Sequence, residues 1–131
     1  MVYEFPEDLK YMKTHEWARI EGDTASIGIT DYAQHQLGDI VYVELPEIGR
    51  TLEKGNNVGE IESVKAVGEI LMPLSGEIVE MNAIIIESPE SINTSPYGTG
   101  WMLKIKISNS NEINELLSVE DYKKIVEDEE K

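Results

Sequence analysis

Apolar and polar positions alternate along this chain in short runs that end at turn residues, a pattern of strands rather than long helices. Residues 17–21 and 24–29 flank Gly22-Asp23, which predicts a tight hairpin. Thr30 is placed to cap a short helix running through Leu37 and stopping at Gly38. Residues 40–45 are rich in β-branched side chains and end at Pro46, so they read as a strand.

Two similar strand-turn-strand units follow, 50–63 turning at 54–57 and 68–81 turning at 73–76. Together they form a weak internal repeat joined by Val64-Lys65-Ala66-Val67. Matched halves are expected to pair about a pseudo-two-fold axis, with their junction projecting at one end. Residues 83–87 are apolar and ambiguous, and Ser88-Pro89-Glu90 reads as the start of one helical turn. Residues 101–107 alternate most cleanly. Trp101, Leu103, Ile105 and Ile107 fall on one side, and Met102, Lys104 and Lys106 on the other. Ile113, Leu116 and Leu117 have helical spacing, Ser118 with Asp121 resembles a capping box, and Tyr122, Ile125 and Val126 extend the apolar face. Residues 127–131 are expected to fray. The fold class expected is mostly β, two small antiparallel sheets packed as a sandwich or flattened barrel. Short helices and a C-terminal helical segment of about 111–127 complete it. The 131 residues fit one domain, 1–131, with the hairpin unit at about 50–81.

Charge narrows the partners. With 26 acidic and 11 basic residues the formal net charge is -15, which argues against nucleic acid and against an anionic membrane surface. It favours docking onto basic patches of other proteins. There is no cysteine, hence no disulfide, thiolate nucleophile or Cys-based metal site. No apolar run approaches the roughly 20 residues of a membrane span. The acidic start lacks the features of a signal or transit peptide, so a cytoplasmic protein is expected, or the mature form of one that works in an organelle.

Enzymatic chemistry has little to stand on. The two histidines, His15 and His35, lie in no metal-binding motif, and no nucleophile or dinucleotide motif occurs. No catalytic residue and no metal ligand are therefore assigned. Lys65 is different. It lies mid-way through the repeat, with small or apolar Val64 and Ala66 beside it, Glu62 as a nearby polar handle, and the turn glycines Gly49 and Gly76 bracketing the unit. An amine fixed on a hairpin tip suits a modifying enzyme. It equally suits a solvated charge that discourages aggregation, and the residues alone leave both readings open.

The segment Glu62-Ser63-Val64-Lys65-Ala66 resembles the lipoylation motif of the glycine cleavage system H-protein family. Further segments match in order: Lys13-Thr14-His15-Glu16-Trp17, Gly28-Ile29-Thr30-Asp31-Tyr32-Ala33-Gln34 with Leu37-Gly38-Asp39, and Val41-Tyr42-Val43-Glu44-Leu45-Pro46. So do Ser75-Gly76-Glu77-Ile78-Val79-Glu80 and Ile92-Asn93-Thr94-Ser95-Pro96-Tyr97 with Gly100-Trp101. The resemblance covers about 11–122. It implies a lipoyl-domain-like barrel-sandwich hybrid and lipoic acid in amide linkage on Lys65.

The resemblance implies a shuttle, not an enzyme, in the cytoplasm if the protein is of bacterial type, or in the mitochondrial matrix only if a transit peptide has been removed. It takes an aminomethyl group from glycine decarboxylase (P-protein) to the tetrahydrofolate-dependent aminomethyltransferase (T-protein). It takes reducing equivalents to dihydrolipoyl dehydrogenase (L-protein). A lipoate ligase or lipoyl transferase would attach the cofactor, with Glu62, Gly49 and Gly76 as recognition elements. By position, Glu16 and Glu69 match acids near the family's arm and are the expected contacts of the cationic aminomethyl end. His35 stands one residue before the place some members give a histidine, which Gln36 fills here. One step turns a helical side chain by about 100°, so His35 reads as a surface residue. Trp17 and Trp101 read as core aromatics. Ala83-Ile84-Ile85-Ile86 is more apolar than is common in the family and is expected to add core packing, with an exposed sticky edge as the alternative. A lipoyl relay to 2-oxoacid dehydrogenases would look much the same. A biotin carrier is disfavoured because Val64 and Ala66, not methionines, flank the lysine.

Overall fold

In the computed structural model, which describes residues 3–131, nine strands form two antiparallel sheets. The larger sheet runs in the order β1 (Lys10–Tyr11), β2 (Glu16–Glu21), β3 (Thr24–Ile29), β9 (Leu103–Ile107), β8 (Gly76–Met81), β5 (Thr51–Leu52). The smaller runs β4 (Ile40–Glu44), β6 (Asn57–Ser63), β7 (Val67–Leu71). Short helices α1 (Asp31–Leu37), α2 (Ala83–Glu87) and α3 (Ser91–Thr94) connect strands, and a 3₁₀ turn (Ser110–Glu115) leads into α4 (Val119–Glu129). This is the mostly-β architecture of two antiparallel sheets with short helices and a C-terminal helix that the pattern predicts, in keeping with the barrel-sandwich hybrid that the resemblance implies.

The apolar alternation builds one aliphatic core between the sheets. Ile27 and Ile105 from the larger sheet and Ile61 and Ile70 from the smaller are buried in it. A second, aromatic-rich cluster fills the space under α4, where Tyr11 and Tyr122 stack with centroids 4.7 Å apart and Trp17 is fully buried. Burying tyrosine rings requires partners for their hydroxyls; Tyr11 Oη donates to the Pro6 carbonyl at 2.6 Å and Tyr97 Oη to the Glu4 carbonyl at 2.7 Å.

The two repeat units pair with each other. Thr51 lies opposite Glu77 and Glu60 opposite Glu69, so β5 joins β8 and β6 joins β7 around the Val64–Lys65 junction.

Several local expectations are corrected. Trp101 is only half-buried and Met102 is fully buried, the reverse of the even alternation assumed for 101–107. The strand proper begins at Leu103; before it, the Met102 N–H is bound to the Ile27 carbonyl and its carbonyl accepts from Asn82 N–H, which turns the side chain inward. Residues 83–87 form a helix capped by Asn82. Only Ile85 enters the core, while Ile84 and Ile86 are each 49% exposed, as one face of a short helix requires. The helical turn expected at 88–90 begins instead at Ser91. The C-terminal residues do not fray where expected: α4 continues to Glu129, whose side chain is bonded to the body of the protein.

Candidate functional site

Lys65 stands on a two-residue hairpin tip. Ser63 and Ala66 close it, with Ser63 N–H donating to the Ala66 carbonyl at 2.8 Å. Two-residue hairpins usually need positive φ in the turn, yet the only non-glycine residue with positive φ among the described residues is His15. The Ser63 hydroxyl makes up for this. Its oxygen accepts the Lys65 N–H at 3.2 Å and the Ala66 N–H at 2.9 Å, satisfying donors the turn would otherwise leave open. Lys65 and both its neighbours are exposed.

The tip leans on the turn after α1. Val64 N–H donates to the Asp39 carbonyl at 3.0 Å. Gly38 ends α1 with φ 83 and ψ -161, a conformation open only to glycine. A methyl group on Gly38 would come within 3.2 Å of Lys65 Cε, so the lysine stem lies in the space the missing side chain leaves. The turn is held from behind by Asn93, whose side chain bonds Gln34, Gly38 and Ile40.

A cleft of about 310 Å³ opens beside this turn. Ala33 and Leu37 of α1 and Ile61 give it an apolar wall; Glu16, Glu69 and Glu129 bring carboxylates. The structure thus unites the two acids matched by position, though in different settings. Glu69 is exposed on β7. Glu16 is 1% exposed, and its carboxylate accepts from Thr14 Oγ1 at 2.5 Å and from Leu71 N–H at 2.9 Å. Burial pushes the Glu16 carboxyl above its usual range, and the hydrogen bonds from Thr14 and Leu71 partly oppose that.

His15 and Glu129 form the far wall. His15 Nε2 lies 3.0 Å from the Glu129 carboxylate and Nδ1 lies 2.8 Å from Tyr122 Oη, which in turn lies 2.7 Å from Thr30 Oγ1. His15 holds φ at 81, a strained value worth about 1–3 kcal/mol for a residue with a side chain. The contacts with α4 offset that strain.

The remaining expected residues are spread out. Glu62 is next to the tip, half-buried, opposite Tyr42 and Val67. Gly76 starts β8 beyond the far end of β7, about 17 Å of strand from the tip. It packs so tightly on β9 that a methyl group there would meet the Lys106 carbonyl at 2.5 Å. Gly49 lies in the loop before β5, its N–H bound to the Ile78 carbonyl. His35 is a surface residue paired with Asp31 at 3.4 Å. Sequence reading missed His15, Asn93 and Glu129. His15 had a visible signal as the neighbour of Glu16; the other two meet the site only through tertiary packing.

The fold and this arrangement have counterparts. The family model described as Glycine cleavage H-protein matches residues 9–129. The glycine cleavage system H protein of Rubrobacter xylanophilus is 54% identical over 127 residues, 97% of this chain and 98% of that one. That of Carboxydothermus hydrogenoformans is 52% identical over 124 residues, 95% of each. A crystal structure of a glycine cleavage system H protein from Mycobacterium marinum superposes with a TM-score of 0.83 at 40% identity, covering 90% of this chain and 95% of its own. No helix among the described residues is long and apolar enough to cross a membrane. With nearly its whole length matched at this identity, the chain belongs to the glycine cleavage system H-protein family, whose members are non-catalytic, lipoate-carrying components of a multienzyme system.

Proposed function

We propose that Lys65 carries lipoic acid in amide linkage. On this reading the chain takes the aminomethyl group from glycine decarboxylase to the tetrahydrofolate-dependent aminomethyltransferase and reducing equivalents to dihydrolipoyl dehydrogenase. One observation carries the proposal: an exposed lysine on a braced turn, its stem directed along Gly38 beside a cleft that holds Glu16 and Glu69. The relatives named above are bacterial, and we place the work in the cytoplasm.

The residues present fit such a group. The amine is accessible for acylation by a lipoate ligase or lipoyl transferase, with Glu62 close enough to be read in the same contact; Gly49 and Gly76 serve by keeping the supporting frame. When bound, the lipoyl group supplies a disulfide-dithiol pair, one sulfur of which can hold a one-carbon amine. Ala33, Leu37 and Ile61 offer an aliphatic chain a dry wall. Glu16 and Glu69 place carboxylates for the cationic amine, which charge-assisted hydrogen bonds can hold.

Co-expression with a lipoate ligase tests the assignment. Intact mass is expected to rise by one lipoyl group, mapped to the Lys65 peptide, and Lys65→Arg is expected to remain unmodified. Acylation of K65R at the wild-type rate would falsify the proposal.

A further inference from the structure

We propose that Asn93 is a positioning residue for Lys65: its side chain fixes the Gly38–Asp39 turn on which the hairpin tip rests, and so sets the direction in which the amine leaves the protein. This rests on Lys65 as the attachment site and adds a residue far from it in sequence.

The amide of Asn93 has one acceptor and two donors, and all three are used on one target. Oδ1 accepts the Ile40 N–H at 2.9 Å. Nδ2 donates to the Gly38 carbonyl at 3.0 Å and to Gln34 Oε1 at 2.9 Å. These bonds grip the last turn of α1 and both ends of the segment Gly38-Asp39-Ile40. The tip touches that same segment: Val64 N–H reaches the Asp39 carbonyl, and the Lys65 stem lies over Gly38. Asn93 itself is anchored, since its neighbour Ile92 is fully buried. A rigid path therefore runs from the core through α3 and the turn to the lysine. Aspartate would keep the acceptor but lose both donors and set a carboxylate against two oxygens. Asn93-Thr94-Ser95 matches a glycosylation sequon, a match that arises easily by chance, and here the asparagine amide is committed to the turn.

A merely structural clamp would act through overall stability, so the test separates the two. Wild type, Asn93→Ala, Gln34→Ala and a control, Asn82→Ala, are compared. Asn82 makes a similar buried clamp, to the Thr99 and Trp101 carbonyls, away from the tip. Three readouts are taken: kcat and KM for acylation of Lys65 by a lipoate ligase, amide exchange at Val64, and acylation of Lys65 by a small amine-reactive ester. N93A is expected to speed Val64 exchange and to lower ligase kcat/KM roughly tenfold to a hundredfold, as misplacement of a reacting group does. Its reaction with the small ester should stay within about twofold of wild type, because the amine remains exposed. Q34A, which removes one of the three bonds, should give a smaller loss, and serves where N93A does not fold. An N82A loss equal to that of N93A, or wild-type ligase kinetics in N93A and Q34A, overturns the proposal. Wild-type protein that no ligase acylates at Lys65 overturns the attachment assignment instead, and the Val64 exchange then still decides whether Asn93 braces the tip.

Discussion

His15 and Glu129 stand at opposite ends of the chain, yet His15 Nε2 and the Glu129 carboxylate lie 3.0 Å apart and close one side of the cleft. The contact fastens the end of α4 to a residue whose backbone is held at φ 81. Two effects of replacing His15 therefore separate. His15→Ala loses the bonds to Tyr122 and Glu129 but keeps the strained φ, and is expected to cost about 1–2 kcal/mol. His15→Gly loses the same bonds but relieves the strain, and should be more stable than the alanine variant by about 1 kcal/mol. Urea unfolding of the pair checks this; an alanine variant as stable as wild type would remove the role given to the clamp.

Glu16 makes stability depend on pH in a definite direction. Its carboxyl is raised above the ordinary 4.5 chiefly by burial. An acid whose folded value exceeds its unfolded one binds protons more tightly when folded. Its contribution to stability is complete below the unfolded value and is lost as pH rises through the folded one. Glu16→Gln removes the titration while keeping an oxygen for Leu71 N–H and an amide for Thr14. The Tm of E16Q minus that of wild type should therefore become more positive from about pH 4 to about pH 7. A difference that is flat, or that falls with pH, contradicts the buried carboxylate.

The same substitution is expected to cost function. In protein loaded with the aminomethyl group, Glu16→Gln combined with Glu69→Gln should speed loss of that group by about tenfold to a hundredfold, the scale set by losing charge-assisted hydrogen bonds. Lipoylation itself should be unchanged, because neither residue lies on the tip or is bonded to the Gly38–Asp39 turn that braces it. Mass spectrometry of the loaded protein over time gives both numbers, and an unaltered decay would rule out the cleft as the amine's holding site.

Helix α2 offers an internal comparison. Ile85 is fully buried in the aliphatic core, so Ile85→Ala is expected to destabilise by about 2–5 kcal/mol. Ile84→Ser and Ile86→Ser alter exposed positions and should stay within about 0.5 kcal/mol of wild type. Denaturant midpoints of the three variants decide the matter; comparable losses at all three would mean that the helix is packed on more than one face.

Features encoded over a few residues were legible in advance. Thr30 caps α1 by accepting the Ala33 N–H at 3.2 Å, and Ser118 caps α4 by accepting that of Asp121 at 3.2 Å. The tip at Lys65 was legible because two similar strand-turn-strand units, 50–63 and 68–81, meet there. Features that depend on distant partners were not. β1 is two residues long and owes its place to pairing with β2 and to a bridge from Tyr11 to Leu117. Met102 is turned inward by bonds to Ile27 and Asn82, which no local pattern reports. Glu129 sits in an acidic run that reads as solvent-facing; only the docking of α4 against His15 and Tyr32 brings it into the cleft.

Both strands that leave Lys65 enter the interior within a few residues, through Ile61 on one side and Ile70 on the other. The proposed attachment point is thus a stationary shoulder rather than a joint. Reach for any group hung from it must come from that group's own length and torsions, and every visiting protein meets the same fixed bearing.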